Sequence, residues 1–413
     1  GTAVLIDGEW WMKRGLKSRW NPTETLANVT DLYGSFQTGA IKHNFDIGLE
    51  LSTEENRNAS YAITTTGGTA CPAPLTGFDC TLVYDPDPND PWTGSIARGA
   101  VTENTTDTVA VYAFDSVEFG EKWLLNLGLR YDDYSVESPT STPSEASWDF
   151  VNYQVGLVYK PTANTSVYAS YATSSTPPTI SGGDQNGAPS NGSGNLNGDV
   201  LDPEDTESYE VGAKLDFGDL NLNLAAFQAD YTDIQLVFRQ GAVPLLFNAG
   251  EARIRGFEAE ASYRPFTGLT LDAAMSVLDD EILSITPVPG ATATVQPGED
   301  LPLTPSFQAN FGIAYQIPLD SRRTVTPRFN GSYTSKVTFI TGSVPLIEQD
   351  GYFVGDASIR FEADDRYALT FGVINLFDER YLIQGNASLA TLGYAERIYA
   401  RPRNWYLQFS AEF

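Results

Sequence analysis

The sequence predicts an all-β protein, a transmembrane antiparallel β-barrel. Three observations predict it: apolar and polar residues alternate in segment after segment, aromatic residues stand at the ends of these segments, and short turns alternate with long polar loops. Successive side chains of a strand point to opposite faces, so a strand between lipid and water has this pattern. We count about fifteen such strands and treat 1–413 as a single β-barrel region.

The alternation is regular in the last strand of the chain. Trp405, Leu407 and Phe409 share one face with Ala411 and Phe413, and the residues between them are mostly polar. The same period of two recurs in the segments 123–131, 151–159, 209–217, 307–315 and 353–361. Aromatic residues end several of these segments, which is typical of the two aromatic bands that border the apolar band of an outer-membrane barrel.

One segment, 220–231, changes phase along its length. Its leucines share one face, and Phe227 takes the other. We expect a β-bulge near 225–226, because an extra residue in one strand shifts the alternation. We also expect Arg253 and Arg255 to be structural residues of the lumen.

The connections alternate in length. Short turns are predicted at 38–42, 119–122, 161–164, 217–219, 265–268, 319–322 and 363–366. Long polar loops are predicted near 52–106, 133–149, 173–207, 232–252, 280–305, 335–350 and 378–402. Outer-membrane barrels have short periplasmic turns and longer extracellular loops, so the long loops are assigned to the extracellular side.

The charge of the chain excludes some partners. Asp and Glu outnumber Lys and Arg by 53 to 25, and the formal net charge is −28. A nucleic-acid partner is excluded, because phosphate contacts need a basic surface.

No segment approaches the roughly 18 consecutive apolar residues of a spanning helix. The chain starts at Gly1 without Met or a signal peptide, and we expect a processed or truncated beginning.

Few residues suit catalysis or metal binding. Cys71 and Cys80 lie in a short loop with Pro and Gly, which favours a disulfide over two free thiols. His43 is the only histidine and lies on a predicted strand, so we predict no enzyme and no metal site. Acidic residues crowd the loops, at Asp85, Asp87, Asp90, Asp199, Asp202, Glu204, Asp205 and Glu207. They are either Ca²⁺ ligands or a solvated acidic surface.

Several segments together resemble a known family. They are Asn-Leu-Phe-Asp at 375–378 followed by Tyr381, Arg-Ile-Arg-Gly-Phe-Glu-Ala-Glu at 253–260, Glu-Ser-Tyr-Glu-Val-Gly-Ala-Lys at 207–214, and the terminal aromatic strand. They resemble the C-terminal barrel of TonB-dependent outer-membrane receptors. The stretch 38–50 and the Pro-Asn-Asp-Pro loop within 84–92 are similar to the siderophore-receptor branch, close to catecholate-type receptors.

The resemblance implies an architecture larger than this chain. The family combines an N-terminal plug with a barrel of about 22 strands. This chain then supplies about fifteen or sixteen C-terminal strands, while the plug and the first barrel strands are absent from it. We expect a partial record of a longer protein. The alternative is a smaller barrel that closes differently.

The resemblance also implies a function. It implies TonB-dependent uptake of a ferric siderophore through the outer membrane of a Gram-negative bacterium, with the siderophore as transported ligand and no cofactor. The implied partners are the TonB–ExbB–ExbD complex acting through the plug, outer-membrane lipid and lipopolysaccharide, and the barrel assembly machinery, which reads Phe413. The alternatives are a passive porin-like channel, a TonB-dependent receptor for a vitamin or oligosaccharide, and a soluble β-sandwich.

Loop residues with positive charge or an aromatic ring are the ligand candidates. A ferric catecholate is anionic and aromatic, so guanidinium groups and rings suit it by charge and stacking. The candidates are Trp92, Arg98, Trp148, Phe238, Arg239, Tyr394, Arg397 and Tyr399, with Lys336, Arg401 and Arg403 as further cations. For each the alternative is a rim aromatic, or a cation paired with a neighbouring acid.

Overall fold

The computed structural model describes residues 3–15, 19–139, 145–178, 201–240, 243–340, 344–364, 366–389 and 394–412. The first strands are β1 (Val4–Ile6), β2 (Glu9–Lys13), β3 (Arg19–Trp20), β4 (Thr23–Thr38), β5 (Ile41–Gly67), β6 (Cys80–Leu82), β7 (Thr93–Arg98), β8 (Thr102–Phe119), β9 (Trp123–Glu137), β10 (Glu145–Thr162), β11 (Thr165–Thr176) and β12 (Glu204–Asp216). The others are β13 (Leu220–Gln240), β14 (Val243–Tyr263), β15 (Leu269–Ile285), β16 (Thr292–Ala293), β17 (Phe307–Tyr315), β18 (Ile317–Pro318), β19 (Arg323–Thr334), β20 (Tyr352–Ala363), β21 (Tyr367–Ile374), β22 (Leu382–Ser388), β23 (Tyr394–Tyr399) and β24 (Asn404–Ala411), with a 3₁₀ turn at Pro345–Ile347.

The main sheet is an antiparallel meander. In the described residues it contains fifteen strands of eight residues or more, which are β4, β5, β8 to β15, β17, β19, β20, β21 and β24. The prediction of an all-β antiparallel structure is confirmed. Each of the seven predicted short turns lies between two paired strands. No helix in the described ranges is long and apolar enough to cross a membrane.

The terminal strand of the chain has a partner. β24 pairs with β21 from Tyr367 opposite Ala411 to Ile374 opposite Asn404. At the other margin of the sheet, β4 pairs with β5, and all sixteen of its residues are exposed. No paired residues between β4 and β24 are found in the part of the chain that the structure describes. The 22-strand barrel and the missing plug stay predictions.

The two faces of the sheet differ as the alternation predicts. Directly opposite residues of an antiparallel pair share a face, so a row of opposites shows what that face presents. One row consists of Ala213, Leu224, Ala259, Met275, Ala309, Tyr333 and Phe353. The adjacent row, on the other face, consists of Lys214, Asn223, Glu260, Ala274, Asn310, Ser332 and Val354. We call these the apolar face and the polar face.

Aromatic rings border the apolar face at both ends. Near the short turns, the rings of Trp123 and Tyr159 lie 4.4 Å apart, and those of Phe266 and Tyr315 lie 6.0 Å apart. Towards the long loops, Tyr171 lies 5.7 Å from the Tyr153 ring and 4.9 Å from that of Tyr209. Two such bands are the features that hold an outer-membrane barrel at the two lipid–water interfaces.

The predicted bulge in β13 is wrong. The register with β14 is regular through Ala225 and Ala226, and it shifts only between Tyr231 and Gln235. Phe227 therefore lies on the polar face, where it is opposite Gly256. The phase changes because the apolar band ends here: the next residues on the first face are Gln228 and Asp230.

Four predicted loops are largely strand. β9 and β10 extend into the segment 133–149, and β22 and β23 form a separate two-stranded sheet within 378–402. β5 and β8 extend into the segment 52–106, and β13 and β14 form a tight hairpin within 232–252. These extensions are polar because both of their faces meet water beyond the apolar band. Their backbone ladders are nevertheless continuous with the sheet. Polar composition alone does not separate such an extension from a loop.

Arg253 and Arg255 lie on the apolar face of the sheet, whereas the prediction of a lumenal role needs them on the polar face. Both lie on β14 on the same face as Ala259, beyond the aromatic band that is nearer to the long loops. The Arg253 Nε atom donates to Asp230 at 2.5 Å, and Arg255 Nη2 lies 2.6 Å from Asp279. The Arg-Ile-Arg pattern thus places two guanidinium groups outside the band, because residues two apart share a face.

Candidate ligand-binding surface

A small sheet at the long-loop end is held by a disulfide and a buried charge cluster. β1, β2 and β6 form this sheet, with Trp11 between Val4 and Leu82. The predicted disulfide between Cys71 and Cys80 is confirmed. We call residues 3–15 and 69–92 the disulfide unit. It has little core of its own, so the covalent link and the charges replace apolar burial.

Arg14 is the centre of that charge cluster. Its Nη1 atom lies 3.4 Å from the Asp79 carboxylate and 3.2 Å from that of Asp90, and Nη2 donates to the Asp87 carbonyl at 2.6 Å. Asp90 also accepts a hydrogen bond from the Thr69 amide at 3.0 Å. The carboxylates of Asp79 and Asp90 therefore face a cation within the chain.

Acid is expected to loosen the disulfide unit. The Thr69 amide and Arg14 hold the pKa of Asp90 below its ordinary value of 3.8. A lowered folded-state pKa gives stability that is present above the unfolded value and is lost as pH falls through the folded value. Proteolysis within 69–92 is therefore expected to accelerate below about pH 4. In Asp90→Asn this acceleration is expected to be smaller, and equal acceleration in both proteins contradicts the assignment.

Trp92 is the last residue of this unit, and Arg98 ends the strand β7 that follows it. The Arg98 guanidinium lies 4.4 Å above the ring of Trp20, and its side chain is exposed. The Trp92 Nε1 atom donates to the Thr65 hydroxyl at 3.2 Å, and its ring covers Gly94. Arg98 on Trp20 forms a flat cationic surface of the kind that receives planar anionic groups.

Trp148 and Phe238 differ in accessibility. Trp148 is half-buried and lies 5.9 Å from Tyr134, its cross-strand neighbour. Phe238 is only 1% exposed and packs in a cluster with Leu236, Ala249, Ile282 and Val295. Its ring stabilises the loop end and is not accessible to a ligand, contrary to its prediction as a ligand candidate.

The last loop contains the remaining candidates. The Arg397 Nε atom donates to the Leu346 carbonyl, and the Arg380 guanidinium lies 4.0 Å from the Tyr399 ring centre. Lys336 lies 2.7 Å from Glu348, whose hydrogen bond raises the pKa of the Lys336 ammonium. The side chains of Arg239 and Tyr394, and all of Phe413, lie outside the described residues.

Asn375 anchors this loop, a role that no sequence pattern predicts. Its side chain donates to the carbonyl of Glu379 and accepts from the amide of the same residue, each at 2.8 Å. Its backbone φ is 54°, and its own amide donates to Asp356 at 2.8 Å. The Asp378 carboxylate in turn accepts from the Arg403 amide at 2.9 Å. The Asn-Leu-Phe-Asp segment thus joins β21 to the start of β24.

Aromatic rings cover glycines on the polar face. The pairs are Tyr112 opposite Gly48, Phe114 opposite Gly128, Tyr168 opposite Gly212, Phe227 opposite Gly256 and Tyr406 opposite Gly372. Because glycine has no side chain, the ring lies flat across the neighbouring strand. Tyr168 then reaches Glu210 with a hydrogen bond of 2.6 Å.

A region of the polar face that these rings do not cover forms a cavity of about 460 Å³. Two adjacent rows of the ladder line it, across β13, β14, β15, β17, β19 and β20. Its polar lining consists of Asn221, Asn223, Glu260, Ser262, Asp272, Asn310, Arg328, Asn330, Ser332 and Asp356. The cavity exists because Ala274 and Gly312 are small.

The side chains of the long-loop end and of the polar face are suited to binding a ligand. Within the described ranges, no group of three His, Cys, Asp or Glu side chains is placed to hold a metal ion. His43 forms a 2.7 Å contact with Asp115 and stacks on Phe36 at 4.5 Å. The loop end offers rings and guanidinium groups, and the polar face offers amides and carboxylates.

Two curated relatives match most of this chain. The probable TonB-dependent siderophore receptor PiuA of Acinetobacter baumannii is 28% identical over 392 residues, which cover 90% of this chain and 51% of the relative. The catecholate siderophore receptor Fiu of Escherichia coli K12 is 27% identical over 406 residues, covering 92% and 50%. The chain spans about half the length of the curated relatives that it matches.

Solved structures show the same fold. The crystal structure of the siderophore receptor PiuA aligns with a TM-score of 0.76 at 25% identity, covering 95% of this chain and 56% of that one. The closed form of the ferric-catecholate import receptor Fiu aligns with a TM-score of 0.74 at 23% identity, covering 95% and 55%. The model of the TonB-dependent receptor-like β-barrel matches residues 7–376. These relatives are transport receptors rather than enzymes, and such receptors lie in the outer membrane of Gram-negative bacteria. The chain belongs to the TonB-dependent receptor-like β-barrel family.

Proposed function

We propose that this chain forms the barrel wall and the ligand-binding surface of an outer-membrane receptor that takes up a ferric siderophore. The family and the two relatives named as siderophore receptors support the class of activity. The observation that best supports a ligand-binding surface is the exposed guanidinium of Arg98 over the Trp20 ring. Arg380 over the Tyr399 ring is a second pair of the same kind. Such pairs bind planar, electron-rich groups through charge and stacking together.

The energy source and the other partners belong to the same proposal. Uptake is driven by the TonB–ExbB–ExbD complex, which family membership supports. The apolar face, bordered by its aromatic bands, contacts outer-membrane lipid and lipopolysaccharide. Phe413 is the residue that the barrel assembly machinery reads. The polar face lines the lumen, because the apolar face meets the lipid.

Replacing Arg98 is expected to weaken ligand binding. Arg98→Ala removes the charge and the cation–π contact, which are together worth about 1–2 kcal/mol, or about five- to thirtyfold in the dissociation constant. Arg98→Lys keeps the charge but lacks the flat guanidinium, and an intermediate loss is expected. The measurement is equilibrium binding of ferric siderophores to the purified full-length receptor.

A matched control is available at the opposite end of the barrel. Arg323 pairs with Asp320 in a short turn at 2.5 Å, so Arg323→Ala removes a paired arginine far from the loops. Its binding is expected to equal that of the unaltered receptor. Saturable binding that is unchanged in both Arg98 variants contradicts the ligand surface. Binding of a vitamin or oligosaccharide, with no ferric siderophore bound, contradicts the iron assignment.

A further inference from the structure

The strand β7 has an open edge at the long-loop end of the sheet. On one side it pairs with β5, starting with Arg98 opposite Tyr61. β5 is the only strand with which it pairs in the described ranges, and all six residues of β7 are exposed. On the other side the nearest strand is β9, which ends at Glu137 opposite Thr105 and so stops short of β7. The sequence of β7 contains no proline that would block pairing, so its edge is open to an added strand.

The backbone groups of Ile96 and Arg98 point to this open side. The Gly99 N–H donates to the Ser60 carbonyl at 2.9 Å, in register with the pairing of β7 and β5. In an antiparallel ladder, hydrogen-bonded pairs alternate with pairs whose backbone groups face away. Ala97 therefore also bonds to β5, while Ile96 and Arg98 turn their N–H and C=O groups outward. These groups repeat every two residues, which is the repeat of an extended peptide.

The side chains beside the open edge favour a particular kind of added strand. Trp20 is opposite Ala59 on β5. Arg98 is opposite Tyr61, two residues further along β5, so it shares that face. Ile96 is 52% exposed and lies on the same face, two residues before Arg98. A strand added to β7 lies about 4.8 Å from it, and its alternate side chains contact Ile96 and Arg98. The first contact suits an apolar group and the second a planar anionic group.

The length of the edge favours a short peptide over a protein strand. Only the six residues of β7 are open, because the chain continues into β8, which pairs with both β5 and β9. An added strand can therefore pair over about three to five residues. Few hydrogen bonds form over that length, and each contributes modestly to binding. A small peptide that also carries a planar anion gains the charge contact with Arg98 as well.

We propose that the open edge of β7 binds the backbone of a peptide siderophore by strand addition. The cargo is then a ferric chelate whose planar iron-binding groups are carried on a peptide. Its backbone pairs with Ile96 and Arg98, and one of its planar groups lies on the Arg98 guanidinium. The inference rests on the proposed function, because it names the class of chelate that the Arg98 surface receives.

The first arm of the test changes the ligand. The probes are ferric catecholates whose catechols are attached to the side chains of a tripeptide, and the same chelate with every backbone nitrogen methylated. Methylation removes the backbone donors and leaves the charge of the complex unchanged. The measurement is equilibrium binding to the purified full-length receptor. We expect the tripeptide chelate to bind about tenfold more tightly than its methylated form.

The second arm changes the receptor. Ile96→Pro removes the outward N–H, and an edge strand tolerates proline where the N–H faces away from the sheet. Ile96→Ala keeps the N–H and shortens the side chain, so the difference between the two variants reports the hydrogen bond. We expect the tripeptide chelate to bind about fivefold more weakly to Ile96→Pro than to Ile96→Ala. Ferric dihydroxybenzoate has no peptide backbone, and it is expected to bind equally to both variants.

The outcomes separate this inference from the proposed function. Binding that ignores backbone methylation, or that is equal in the two Ile96 variants, overturns strand addition and leaves siderophore binding intact. If Ile96→Pro does not fold, the comparison of the tripeptide chelate with its methylated form decides. If none of the probes binds, the inference fails. If, in addition, cells with the receptor import no iron from any ferric siderophore, the proposed function fails as well.

Discussion

Gly268→Ala is expected to be among the most destabilising single substitutions in the main sheet. Gly268 forms the turn between β14 and β15 with a φ of +90°, and a Cβ atom would lie 2.5 Å from the Gln316 carbonyl oxygen. The backbone N–H of the same Gln316 donates to the Gly268 carbonyl at 2.8 Å, so the two backbone segments cannot separate without breaking a hydrogen bond. We expect a loss of about 2–4 kcal/mol in the free energy of unfolding, from left-handed strain and overpacking together.

Gly120→Ala is the control for this effect. Gly120 lies in the turn between β8 and β9 with a φ of +65°, and a Cβ atom there would have no neighbour within 4 Å. It therefore carries only the conformational cost, about 1–2 kcal/mol. The measurement is urea unfolding in detergent micelles, followed by tryptophan fluorescence. Equal losses at both glycines would show that the close approach of Gln316 contributes nothing.

Asn375→Ala is the second substitution with a large expected effect. Asn375 is 2% exposed, and its side chain closes the turn through both backbone groups of Glu379. Alanine loses these bonds and disfavours the left-handed φ of 54°. We expect a loss of about 2–4 kcal/mol. Because β24 starts just after the last loop, protease cleavage within 376–403 is expected to accelerate.

Two further variants separate the causes. Asn375→Gly tolerates the left-handed backbone and loses only the side-chain bonds, so about half of the loss is expected. Asn386→Ala alters an exposed asparagine of β22 in the same loop, and no measurable change is expected. If Asn375→Ala unfolds at the same urea concentration as the unaltered protein, Asn375 does not anchor the loop.

The fold was predictable where one physical boundary governs the sequence. In the apolar band, lipid on one side and polar surroundings on the other impose a period of two, so 209–217 and 307–315 indicated both the strands and their faces. The seven short turns followed from the breaks between these segments. Beyond the apolar band both faces of a strand meet water, so the period of two disappears and the polar extensions of β5 and β13 are predicted as loops. The change of alternation at Phe227 is predicted as a bulge for the same reason.

The candidate surface was less predictable, because its residues depend on distant partners. Arg98 was identifiable as a loop cation, but its stacking on Trp20 joins residues far apart in the chain. Phe238 is predicted as an exposed loop aromatic. Its burial cannot be predicted because it depends on Ile282 and Val295, which come from later segments. The cavity carried no motif at all. Its signal is small residues opposite asparagine and aspartate, and it becomes visible only once the strand register is known.

We propose that the polar face and the long loops belong to an energised receptor for iron chelates. The most direct test is the initial rate of labelled iron uptake from ferric siderophores, in iron-limited cells with and without the intact gene and with and without a functional TonB complex. We expect saturable uptake that needs both the gene and the complex, and expression that rises under iron limitation. Steady passive conductance of the purified receptor in liposomes, with iron uptake unaffected by loss of the gene or of the complex, would contradict it.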